Sequence, residues 1–84
     1  MTEREIQLLG FEQFIEDSDP EVPFHYYTYT IATGFSFISN SSDETENGDW
    51  YVEFFDSDPQ IRFHKFEEVQ SLINLLEKRI VNDK

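Results

Sequence analysis

Trp50-Tyr51-Val52-Glu53-Phe54-Phe55 reads as an extended strand, in which successive side chains point to opposite faces. Trp50, Val52 and Phe54 then share one wholly apolar face, while Tyr51, Glu53 and Phe55 share the other. The same alternation runs through Phe35–Ser39 upstream and Ile61–Phe66 downstream. Three successive strands thereby pool one face of Phe35, Phe37, Trp50, Val52, Phe54, Ile61 and Phe63. A sheet with such a face needs a covering layer.

From Phe66 the hydrophobic period lengthens from two residues to between three and four. Phe66, Val69, Ile73, Leu76 and Ile80 fall on one helical stripe, widened by Leu72. Glu67 and Glu68 stand in the first turn and Lys78 and Arg79 near the end, each sign matched to the helix dipole. This amphipathic helix is expected to lie over the aromatic face.

Toward the N-terminus, Phe24–Ile31 is the run of highest strand propensity. Phe24, Tyr26, Thr28 and Thr30 share one side and His25, Tyr27, Tyr29 and Ile31 the other, so neither side is cleanly polar. Ala32-Thr33-Gly34 predicts a tight hairpin into Phe35. Thr2 and Glu5 have the spacing of a capping box, which predicts a short helix over residues 3–9, closed by Gly10. For Phe11–Glu16 a strand competes with a continued helix, and the strand is preferred because Gly10 interrupts the helix. Asp17–Pro23, the polar stretch Asn40–Asp49 with its Asn47-Gly48 turn signal, and Asp56-Ser57-Asp58-Pro59 are connections. Together these elements predict a single α+β domain over residues 1–84. It is a two-layer fold: an antiparallel meander of four or five strands with the C-terminal helix and the short N-terminal helix packed on one face.

Composition narrows the functional classes. Eighteen Asp and Glu against six Lys and Arg leave a formal charge of −12, a field that repels nucleic-acid phosphates and anionic membrane surfaces alike. The absence of cysteine excludes disulfides and thiolate metal sites. No basic leader precedes an apolar run, and no run approaches the roughly 18 apolar residues of a membrane span, so a soluble cytoplasmic protein is expected.

Catalytic and ligand signatures are weak throughout. Asp43, Thr45, Asn47 and Gly48 fall near positions 1, 3, 5 and 6 of a calcium-binding loop, but the place of the bidentate glutamate is taken by Phe54. His25 and His64 are the only imidazoles, and Gly10, Gly34 and Gly48 the only glycines, too few for a phosphate cradle. No serine stands in a nucleophile elbow. The chain is therefore expected to hold no cofactor or metal and to have no catalytic residues. What remains is a binding surface of Tyr27, Tyr29, Tyr51, Glu53 and Phe55, with His25 among them, on the sheet face away from the C-terminal helix. This predicts a small acidic, non-enzymatic module that presents tyrosines and carboxylates to a protein partner, a basic one by charge, or to a second copy through a sheet face. Two other readings compete: an inhibitor whose carboxylates imitate nucleic acid, and an acidity that serves solubility alone.

Overall fold

The computed structural model describes residues 1–17, 21, 23–45 and 48–80. Asn47 and parts of the Asp17–Pro23 and Asn40–Asp49 connections lie outside the described residues, whereas Gly48 takes the positive φ of 74° that a turn requires.

The chain forms α1 (Glu3–Leu8), β1 (Glu12–Glu16), β2 (Phe24–Ala32), β3 (Phe35–Ser39), β4 (Val52–Phe54), β5 (Arg62–Phe63) and α2 (Phe66–Arg79). A 3₁₀ turn, Ser42–Glu44, interrupts the connection after β3. All five strands pair antiparallel in sequence order, a plain meander. The architecture is the expected α+β, and the preferred strand reading of Phe11–Glu16 holds from Glu12 onward.

Local chemistry explains the ends of α1. Thr2 Oγ1 accepts from the Glu5 amide at 3.2 Å and Glu5 Oε1 accepts from the Thr2 amide at 2.8 Å, so two otherwise unpaired donors are satisfied. Gly10, at φ 94°, reverses the chain into β1. A side chain there meets the Tyr29 ring only at ordinary contact distance, so the penalty is conformational. Gly10→Ala is expected to cost about 1 to 2 kcal/mol, and a denaturant midpoint unchanged by it would refute that account.

Both helices contribute to one core, made of Ile6 from α1, Val69 and Ile73 from α2, and Phe11, Tyr27, Phe37, Trp50 and Val52 from the sheet side. Trp50 and Ile73 lie in the same cluster, as the sequence pattern requires. The Phe37 ring stands at its centre, with the rings of Phe11, Phe54 and Phe63 within 6.4 Å. Met1 extends the ladder beside Trp50: its ammonium donates to the Trp50 and His64 carbonyls at 3.0 and 2.9 Å, and the Trp50 amide donates to Met1 O.

Two expected members of the inner face are displaced. Ile61 precedes the two-residue β5 and is 47% exposed, and Phe35 sits at the rim beyond the irregular pairing between Thr30 and Ala32. Ile80, the C-terminal cap of α2, is 39% exposed and lies outside the core cluster. The strand Trp50–Phe55 is also shorter than its pattern, because Asp56 at φ 60° bends the chain away; single amide bonds from Asn40 to Tyr51 and from Phe55 to Ser36 continue the pairing at either end.

The net charge of −12 on so small a body favours expansion. Screening should outweigh any loss of surface pairs such as Glu53–Arg62, whose arginine is half exposed. The melting temperature is expected to rise between low salt and about 0.3 M; a flat or falling trend would mean that local pairs dominate.

Candidate protein-binding face

Two backbone bonds set the polarity of the sheet. The Asn40 amide donates to Tyr51 O and the Phe55 amide to Ser36 O, so even-numbered residues of β3 face β4 and odd-numbered ones face β2. Side chains follow the same alternation. Gln13, Ile15, His25, Tyr27, Tyr29, Phe37, Val52, Phe54 and Phe63 point to the helical layer. Glu12, Phe14, Glu16, Tyr26, Thr28, Ile38, Glu53 and Arg62 point away from it.

The expected binding surface is thereby divided. Tyr27 and Tyr29 do not lie on the open face with Tyr51, Glu53 and Phe55; Tyr27 is fully buried and Tyr29 packs against the core. The physical reason is that the helices satisfy their hydroxyls. Tyr27 OH donates to Glu3 Oε2 at 2.7 Å and accepts from Gln7 Nε2 at 3.0 Å, both on α1, and Tyr29 OH donates to Glu77 Oε2 of α2 at 2.7 Å. A tyrosine buried with its hydroxyl bonded contributes a large apolar ring at little polar cost. His25 also faces α1, with Nε2 2.5 Å from Glu3 Oε2 and its ring 5.7 Å from that of Trp50.

These bonds move ionisation equilibria. The Tyr27 hydroxyl, against the opposing effect of burial and with help from the His25 ring, holds the Glu3 carboxyl below its ordinary value. Burial, reinforced by Glu3, pushes the Tyr27 hydroxyl up, and Glu77 pushes Tyr29 up. The Glu3 contribution is thus present above its ordinary value of 4.5 and is lost as pH falls through its lower folded value. The stability gap between wild type and Glu3→Gln should narrow below about pH 4.5. A gap constant from neutral pH down to acid unfolding would contradict this.

On the open face Tyr51, Glu53 and Phe55 are joined by residues outside the expected binding set. Arg62 Nε donates to Glu53 Oε2 at 3.2 Å, its Nη2 donates to Gln60 Oε1 at 3.3 Å, and its guanidinium lies 4.7 Å from the centre of the Tyr51 ring. The His64 ring is 5.6 Å from that of Tyr51. Phe14 and Tyr26 stack at 5.8 Å on the far side of the same face. Phe55 is 60% exposed and Phe14 41%.

Two shallow grooves flank the Glu53–Arg62 pair, each of about 330 Å³. One is lined by Ile38, Glu53, Phe55, Asp56 and Gln60, and the other by Asn40, Glu44, Asp49, Tyr51, Arg62 and His64. Asn40 is buried beneath the second, its amide group bonded to Asp49 O and the Tyr51 amide. No family model, curated protein or solved structure matches this chain. The geometry of the face itself therefore carries the functional argument.

Among the described residues, no three His, Asp or Glu side chains converge to hold a metal ion, and no helix is long and apolar enough to cross a membrane. Thr28 and Thr30 share their side of β2 with Tyr26, but Tyr27 and Tyr29 carry hydroxyls on the other side as well. Hence β2 alone does not mark its solvent face, and Phe14 and Ile38 join the open face only through the strand register.

Proposed function

We propose that this protein is a non-enzymatic protein-binding module that docks a basic partner on its open sheet face. The observation that carries the reading is an asymmetry between the two faces. Both helices pack on one side of the sheet, while the other presents Phe14, Tyr26, Ile38, Tyr51 and Phe55 among the carboxylates of Glu12, Glu16 and Glu53. A solvated sheet face ordinarily alternates to polar residues, and aromatic side chains within a charged rim are what protein interfaces favour. Charge supports a basic partner over a second copy, because two bodies of −12 repel.

The test compares wild type with the double substitution Tyr51→Ala and Phe55→Ala in affinity capture from a native lysate, read by mass spectrometry. Both side chains lie outside the core, so the variant should melt within a few degrees of wild type. Wild type should retain a small set of basic proteins, released by salt, and the variant should lose them. Equal capture by both would sink the reading. A retained set made up of nucleases or DNA-binding proteins would point instead to imitation of nucleic-acid charge.

A further inference from the structure

We propose that the outer edge of β1 accepts an extended basic segment of the partner as a sixth strand. This rests on the reading of the chain as a protein-binding module, and it assigns the partner's chemistry at one border of the open face.

The backbone supplies the first argument. Odd-numbered residues of β2 turn their amides toward β3, as the bonds from Tyr27 N to Ser39 Oγ and from His25 N to Ser42 Oγ confirm. Even-numbered residues therefore serve β1, and they stand opposite Glu12, Phe14 and Glu16. The amides and carbonyls of Gln13 and Ile15 are left pointing outward, and among the described residues no strand lies beyond them. Ile15, 68% exposed, stands at this edge on the helix side, and Phe14 on the open side.

The side chains decide what can add there. Two copies of the chain joining through this edge would pair antiparallel about Phe14, the register that uses the Gln13 and Ile15 groups of both. That register sets Glu12 of each copy directly opposite Glu16 of the other, twice, and like charges so placed destabilise a ladder. The same carboxylates attract a strand with Lys or Arg at its first and fifth positions. An antiparallel segment then places an aliphatic residue beside Ile15 and an aromatic one beside Phe14. Main-chain bonds give such a strand affinity, and the alternating side chains give it selectivity.

The probe is a labelled peptide whose central five residues are Lys-Val-Phe-Thr-Lys, titrated against the full chain by fluorescence anisotropy. Three controls are a scrambled peptide of equal charge, a peptide with Glu in place of both Lys, and one N-methylated at the Val and Thr amides, which aim at the β1 edge. Binding by the first peptide, with each control weaker by about tenfold or more, is the expected result. Ile15→Pro removes an outward amide without breaking a bond to β2, so it should weaken binding similarly while the protein stays folded. Glu12→Gln should flatten the salt dependence. The Tyr51→Ala, Phe55→Ala protein, altered at the opposite border, should bind the peptide unchanged even though it loses its partner. Equal affinity for the scrambled or N-methylated peptide, or no binding at about 1 mM, overturns the edge proposal. Loss of capture by the Tyr51 and Phe55 variant would still stand in that case, so the two readings fail separately.

Discussion

Phe37→Ala is expected to leave the chain close to its unfolding threshold at room temperature. The ring is fully buried, and those of Phe11, Phe54 and Phe63 all approach it. Removing a buried phenylalanine costs about 3 to 5 kcal/mol, because the lost transfer energy is joined by a cavity that the surrounding rings fill only in part. A domain of this size has a total stability of order 5 to 10 kcal/mol. The melting temperature should therefore fall by at least about 15 °C, as followed by near-ultraviolet circular dichroism and thermal melts. Phe54→Ala should be milder, since that ring is only partly buried although it touches Phe35, Phe37 and Phe63. If the two substitutions cost the same, or if Phe54→Ala cost more, the centre of the core would have been misplaced.

Ile6→Ala tests whether α1 is part of the fold or an appendage to it. Six residues cannot hold a helix in water by themselves, yet Ile6 is as completely buried as Phe37. Its truncation should cost about 2 to 4 kcal/mol in a single cooperative transition, since α1 also supplies the partners of Tyr27 through Glu3 and Gln7. Leu8, in the same helix but 64% exposed, is the internal control. Leu8→Ala should stay within about 0.5 kcal/mol of wild type. A biphasic melt for Ile6→Ala, with the sheet and α2 unfolding at the wild-type temperature, would show that α1 docks independently of the core.

Period and punctuation made most of the fold readable. The switch from alternation to a helical stripe at Phe66, the Thr2–Glu5 capping box and the break at Gly10 are local signals, and each element they mark is present. Element ends were less legible, because they depend on neighbours. Trp50 is buried without belonging to β4, and Ile61 alternates correctly yet lies outside the two-residue β5.

The candidate site was half legible. Tyr51, Glu53 and Phe55 follow from the apolar parity of Trp50, Val52 and Phe54, which is unambiguous within that strand. Tyr27 and Tyr29 do not follow from β2, where both faces carry aromatic rings. Their side was chosen by bonds to Glu3, Gln7 and Glu77, residues 20 or more positions away in sequence.

Sequence alone determined that this chain builds an antiparallel meander with helices, because alternation and helical period are properties of neighbouring residues. Tertiary structure alone decided which face of β2 is covered and, among the described residues, left the outer edge of β1 without a neighbouring strand. A tyrosine is apolar enough for a core and polar enough for a surface, so its place depends on whether a distant side chain arrives to bond its hydroxyl.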